Sequence, residues 1–148
     1  MNSMRQRRCQ LGALLASACL VVATGAHADD LSHQEPVEIA VELGTEQGDL
    51  RFSPSELQLE AGKLYKLVLK NQSPSEHYFS ALQFAAAIWT RKVEAGSAEI
   101  KGAVREIEVK PNGEAEWFFV PVQAGSFHLE CTIPGHAAAG MVGEITVK

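Results

Sequence analysis

Apolar and polar residues alternate along much of this sequence, beginning directly after Pro36. Val37, Ile39, Val41 and Leu43 are apolar, and the residues between them are polar or small. A period of two is typical of a strand with one face buried and the other in water. This segment is therefore predicted to be a half-buried strand whose odd-numbered residues face the core.

Similar short runs follow as far as the last residue. Strands are predicted at 64–70, 105–110, 115–120, 127–131 and 142–148, and an apolar stretch at 52–59 leads into a turn. The breaks between these runs contain Gly, Pro, Asn and Ser, which favour turns. Six or seven short strands separated by such turns predict an all-β fold, specifically a Greek-key antiparallel β-sandwich.

One region departs from this alternation. The run from Phe84 to Trp89 is rich in alanine and compatible with a helix, on which Phe84, Ile88 and Ala95 would share one face. We predict one short helix there, followed by a loop at 96–102. The helix and the loop together form an insertion in the sandwich.

The beginning of the chain has the pattern of a secretory signal peptide. Three arginines within the first eight residues precede an apolar segment at 11–24, and Ala-His-Ala follows at 26–28. A membrane anchor is the alternative, but the apolar segment is shorter than the roughly 20 residues that a span needs. We predict a signal peptide at 1–28, used by the general or the twin-arginine export route, a flexible tail at 29–35 and one domain at 36–148. The predicted location is the periplasm.

Charge limits the classes of partner. Removal of the signal peptide would leave 10 basic against 18 acidic residues, a net charge of −8. Such a balance disfavours nucleic acids and anionic membranes, and it favours either basic protein surfaces or a generally solvated exterior. We expect a monomer that binds no nucleic acid and does not insert stably into a membrane.

The positions of the cysteines indicate a candidate site near the end of the sequence. Cys9 and Cys19 would leave with the signal peptide, so that Cys131 would stand alone in an exported protein. A lone thiol in an oxidising compartment is either buried and inert or bound to a metal. The loop CTIPGHAAAGM places Cys131, His136 and Met141 at intervals of five residues, and this joint spacing favours the metal.

Thiolate and thioether are soft ligands and imidazole is borderline, a mixture that favours copper over magnesium, calcium or manganese. His77 follows a strand break and is the best candidate for a fourth ligand. His77, Cys131 and His136 would form a trigonal set with Met141 as a long axial ligand, the composition of a type 1 copper site. Zinc could use the same donors, although structural zinc sites usually contain closely spaced cysteine pairs.

The segment Phe127–Lys148, and more loosely the chain from Pro36 onward, resembles the cupredoxins of the plastocyanin/azurin superfamily, and its closing loop is similar to that of rusticyanin. The resemblance implies a Greek-key sandwich that holds one copper ion near one end and cycles between Cu(II) and Cu(I). The implied ligands are His77, Cys131, His136 and Met141. Two residues depart from the family pattern, since Tyr78 stands where many members have Asn and Glu76 precedes the first ligand.

Two functions follow from the resemblance. The first is single-electron transfer between redox partner proteins that the sequence does not identify, and the second is copper tolerance through binding copper or oxidising Cu(I). Copper-dependent oxidases and nitrite reductases need further histidine clusters such as His-x-His, which this sequence lacks. We therefore expect a carrier or copper binder without catalytic residues of its own. Few other donors are present, because His33 is only a weak candidate and His128 is expected on the surface.

Overall fold

The computed structural model describes residues 34–148, so the predicted signal peptide and most of the predicted tail lie outside the described residues. Within this range there are eleven strands and one short helix. In chain order they are β1 Val37–Leu43, β2 Phe52–Ser53, β3 Glu56–Leu59, β4 Tyr65–Lys70, β5 His77–Ser80, α1 Leu82–Ala86, β6 Ile88–Ala95, β7 Ala98–Ile100, β8 Glu106–Val109, β9 Glu114–Pro121, β10 Gly125–Glu130 and β11 Val142–Val147.

These strands form two sheets, which confirms the predicted β-sandwich. The first sheet has the order β2-β1-β4-β9-β6-β7 and the second has the order β3-β11-β10-β5-β8. The predicted antiparallel pairing holds for most neighbouring strands, but β1 pairs with β4 and β3 pairs with β11 in parallel. Both sheets are therefore mixed. A parallel pair needs a crossover between its strands, and here β2 and β3 lie between β1 and β4 in the chain.

The core lies between the two sheets and is rich in aromatic side chains. Phe84 and Trp117 are each 1% exposed and their rings meet edge to face at 6.3 Å. Phe119 and Phe79 also contact Trp117 edge to face, at 5.5 and 6.5 Å. Such pairs contribute roughly 0.5–1.5 kcal/mol each beyond their buried area, so this cluster holds the sheets together.

The predicted insertion folds differently from the sequence-based prediction. Helix α1 ends at Ala86, and residues 88–95 form strand β6, which pairs with β9 and carries a register shift between Thr90 and Lys92. The predicted loop at 96–102 contains strand β7, which pairs with β6. Pairing with neighbouring strands outweighs the helix propensity of the alanine-rich run, because local propensity is weak compared with tertiary contacts.

The strand order brings two distant parts of the chain to one end of the sandwich. The segment between β4 and β5 leads directly into His77, the first residue of β5, and the loop between β10 and β11 contains the three spaced residues of the closing segment. Strands β5 and β10 are neighbours in the second sheet, paired at Ser80 and Glu130. Among the described residues, no helix is long and apolar enough to cross a membrane.

Candidate metal centre

Three of the four predicted ligands come together at this end of the fold. The Nδ1 atoms of His77 and His136 lie 3.3 Å apart. The Sγ atom of Cys131 lies 3.4 Å from Nδ1 of His136 and 4.0 Å from Nδ1 of His77. One sulfur and two imidazole nitrogens therefore converge on one point. His77 and Cys131 are each only 1% exposed, whereas His136 is partly exposed.

Met141, the fourth predicted ligand, is fully buried beside this cluster. Its backbone N–H donates to the carbonyl of His136 at 3.0 Å, and its carbonyl accepts from the N–H of Cys131 at 3.1 Å. These bonds close the loop on itself and hold the backbone of Met141 next to both other loop residues. Ligation through its sulfur stays a prediction from the sequence.

The loop between β10 and β11 is itself a series of tight turns. The N–H of His136 donates to the carbonyl of Ile133 at 3.0 Å, and the N–H of Ala139 donates to that of Gly135 at 3.0 Å. Gly135 has a φ of +88°, a conformation that favours glycine. The backbone bonds therefore fix where the imidazole of His136 leaves the loop.

The sulfur of Cys131 also receives a hydrogen bond, donated by the backbone N–H of Tyr78 at 3.3 Å. Because the donor is a main-chain group, the presence of Tyr78, where many of the proteins that this sequence resembles have Asn, does not remove it. This contact therefore ties the sulfur to strand β5, directly beside His77.

Electrostatics at His77 favour an uncharged ring. Burial lowers the pKa of His77 and the nearby His136 lowers it further, while the carboxylate of Glu76 partly opposes them. Glu76 is more than half exposed and its carboxylate lies 3.9 Å from the Lys110 ammonium. A neutral imidazole is what a metal requires, since the protonated ring has no free lone pair.

Sequence reasoning missed the residues that surround the far side of the His77 ring. Ser73 Oγ lies 2.8 Å from Nε2 of His77, and the backbone of Gly44 packs against the same ring edge. The segment 71–75 contains the turn-forming residues that marked a strand break. Its composition alone does not indicate which hydroxyl meets the histidine, because that depends on the path of the chain.

The donor set fits copper. A buried thiolate, two imidazole nitrogens and a neighbouring thioether together suit this soft metal. Cys131 is the one cysteine in the described part of the chain, so no disulfide competes for its sulfur there. Of the other histidines, His128 is exposed and lies 3.5 Å from Glu130, as expected of a surface residue, and His33 lies outside the described residues. Within residues 34–148 the cluster of His77, Cys131 and His136 is the single group of three such donors.

Known proteins resemble this chain along most of its length. The copper-resistant cuproprotein CopI of Rubrivivax gelatinosus is 35% identical over 103 residues, which are 67% of this chain and 61% of that protein. The chain thus spans less than two thirds of that relative. Chloroplast plastocyanin of Pisum sativum is 29% identical over 150 residues, covering 99% of this chain and 80% of that protein.

A solved structure and a family model extend the comparison. Auracyanin A, a "blue" copper protein of Chloroflexus aurantiacus, shares the fold with a TM-score of 0.55 at 24% identity, over 77% of this chain and all of that one. The family model described as copper binding proteins, plastocyanin/azurin family, matches residues 39–148. These residues contain His77 and the complete closing loop, and the chain belongs to the plastocyanin/azurin family of copper-binding proteins.

Proposed function

We propose that this protein is a type 1 copper protein that carries single electrons between redox partner proteins. The observation that carries the proposal is the convergence of the Cys131 sulfur with the Nδ1 atoms of His77 and His136, all within 4.8 Å of one another. Bound copper would supply the chemistry, a one-electron change between Cu(II) and Cu(I). The protein would supply the ligands and their fixed arrangement.

The surroundings of the site suit this role. His77, Cys131 and Met141 are buried, and their backbones are tied to strands β5, β10 and β11. Such fixed ligands move little when the charge on the metal changes, which keeps the barrier to electron transfer low. His136 is partly exposed within a loop whose Pro134 and Ala138 are exposed. Electrons would enter and leave through this imidazole.

The same features support a carrier rather than an enzyme. A reductase or oxidase of this kind needs a second metal site at which its substrate reacts. The described residues bring together one group of three metal donors, and the whole sequence has no His-x-His pair. We propose that the protein transfers electrons without transforming a substrate.

Copper tolerance is a second candidate function, favoured by the similarity to a copper-resistant cuproprotein at 35% identity. In this role the same ligands would sequester copper or oxidise Cu(I). Both roles fit a periplasmic location, which we propose on the basis of the signal-peptide pattern at the start of the chain.

The first test is a Cu(II) titration of the purified domain, followed by visible absorption. An intense thiolate-to-copper charge-transfer band that saturates at one copper per chain is expected for the wild type, and Cys131→Ser should lose it. Absence of the band in the wild type would contradict the proposal.

A genetic experiment separates the two functions. If the protein is an electron carrier, a deletion strain should show impaired respiration or another redox defect without copper sensitivity. If deletion instead causes copper sensitivity and copper induces expression, the tolerance role is favoured.

A further inference from the structure

The imidazole of His77 is held from both sides. Its Nδ1 atom faces Cys131 and His136, and its Nε2 atom lies 2.8 Å from the hydroxyl oxygen of Ser73. Ser73 is 1% exposed, as is His77 itself. Water therefore has little access to this contact, and the serine hydroxyl is the hydrogen-bonding partner of Nε2.

Two further contacts surround the Ser73 hydroxyl and indicate its orientation. The hydroxyl donates to the carbonyl of Ser75 at 2.9 Å, and its oxygen accepts from the N–H of Ser75 at 3.1 Å. A hydroxyl has one proton to give and two lone pairs with which to accept. With its proton on the Ser75 carbonyl, the oxygen can meet the Nε2 atom of His77 only as an acceptor.

Asn71 fixes the segment that carries this hydroxyl. Its side-chain oxygen accepts from the N–H of Ser73 at 2.9 Å, and its amide nitrogen donates to the carbonyls of Ser75 at 2.7 Å and Val109 at 2.8 Å. Asn71 is 1% exposed. Every proton of this buried amide has a partner, so the turn is anchored to strand β8 and Ser73 has little freedom to turn away from the ring.

We propose that Ser73 is a positioning residue of the copper centre, which fixes His77 in the tautomer with its proton on Nε2. The Nδ1 lone pair is then free and points at the position where Cys131 Sγ and His136 Nδ1 converge. A hydrogen bond to the far nitrogen of a metal-binding imidazole sets its orientation and raises its basicity. This inference deepens the proposed function, and it rests on the same site.

The direct test is the tautomer of His77 in the metal-free protein. In a ¹⁵N-labelled sample at a pH where the ring is neutral, long-range ¹H–¹⁵N correlations distinguish a protonated Nε2 from a protonated Nδ1. We expect the wild type to carry the proton on Nε2. A wild-type ring protonated on Nδ1 would overturn the proposal, and this measurement needs no variant.

Variants test the serine itself. Ser73→Ala should populate both tautomers and weaken Cu(II) binding by about 10-fold to 100-fold in a competition titration, the usual effect of removing such a partner. Ser75→Ala is the matched control, because the Ser75 side chain is exposed and the contacts of this residue are made by its backbone. Equal tautomers and equal Cu(II) affinity in the two variants would contradict the proposal. If Ser73→Ala fails to fold, the tautomer of His77 in the wild type decides whether the proposal stands.

The two proposals can fail separately. Failure of the wild type to bind copper would remove the proposed function, but it would leave the tautomer measurable in the metal-free protein. A wild type that binds copper and shows the charge-transfer band, but carries the His77 proton on Nδ1 when metal-free, would remove only the role of Ser73.

Discussion

The backbone N–H of Tyr78 donates a hydrogen bond to the sulfur of Cys131 across 3.3 Å. Tyr78 lies in β5, and Cys131 directly follows β10, the neighbouring strand of the second sheet, close to the end where the ligands converge. Any residue other than proline at this position would supply the same donor. The hydrogen bond to the sulfur is therefore made by the main chain, whatever side chain follows His77.

The first prediction concerns that side chain. Tyr78 lies opposite Glu108 on β8, and its side chain is partly exposed. Tyr78→Phe should leave the energy and intensity of the copper charge-transfer band unchanged, because it retains the N–H bond to Cys131. Visible absorption of the copper-loaded variant checks this, with Cys131→Ser as the variant that should lose the band. A shifted band in Tyr78→Phe would mean that the phenol acts on the metal.

The second prediction concerns Gly44, which has a φ of +74° and packs against His77. A Cβ at this position would lie 2.7 Å from Nε2 of His77 and 2.8 Å from Cβ of Ser73. Gly44→Ala should therefore both destabilise the fold and weaken Cu(II) binding. Chemical denaturation and copper titration measure the two effects.

Gly48 provides the matched control. Its φ of +87° imposes a similar backbone strain, but nothing lies within 4 Å of the position of an added Cβ. Gly48→Ala should cost about 1–2 kcal/mol of unfolding free energy from its left-handed backbone alone, with copper affinity unchanged. Gly44→Ala should cost a further ~1–3 kcal/mol for overpacking. Equal losses in the two variants would contradict the close packing of Gly44 against the histidine.

The third prediction tests the role of helix α1. Phe84 is 1% exposed and its ring contacts three other aromatic rings. Phe84→Ala should lower the unfolding free energy by about 3–5 kcal/mol, the usual cost of emptying such a site. Leu82→Ala on the same helix removes a side chain from a residue that is 51% exposed and should change stability by less than about 0.5 kcal/mol. Similar small losses in both would show that the helix does not anchor the core.

The fourth prediction is the pH dependence of the metal-free protein. The pKa of His77 is lowered in the folded state below its ordinary 6.5, so the unfolded chain binds this proton more readily. Stability should be fully present above about pH 6.5 and should decrease as the pH falls from there through the folded-state pKa of His77. Thermal unfolding at a series of pH values measures this. His77→Gln should show a shallower decrease over the same range, and an equally steep one would assign the effect to other groups.

Much of the fold was accessible from residue patterns. Alternation predicted strands β1, β10 and β11, and the apolar positions Val41, Leu43, Ile145 and Val147 are buried as the pattern requires. The parallel pairing of β3 with β11 was not accessible. It joins segments from opposite ends of the domain, and a period of two says which face is buried without saying which strand lies alongside.

The alanine-rich run after Phe84 shows a second limit of prediction from the sequence. Its residues favour a helix when considered alone, yet Ile88 and Trp89 lie opposite Pro121 and Val120 in a sheet. A central strand gains more from pairing along its whole length than the run loses in helix propensity. Short apolar segments of this kind do not distinguish a strand from a helix.

The residues of the candidate site were also only partly predictable from the sequence. The closing loop was accessible because its residues are close in sequence, and a loop between adjacent strands keeps them close in space. His77 could be suggested from the strand break before it. Ser73 and Gly44 could not be suggested, because serine and glycine are common residues. Only the packing of three separate loops at one end of the sandwich places these two against the histidine.

The position of β11 also bears on how the molecule assembles. The last strand lies between β3 and β10, and Ile145 pairs with Leu57 on one side and Phe127 on the other. Until β11 has been synthesised, β3 has no partner in its sheet. Because pairings between segments distant in sequence form slowly, we expect the sandwich to be completed only when β11 inserts between β3 and β10, and the loop between β10 and β11 to close in that same step.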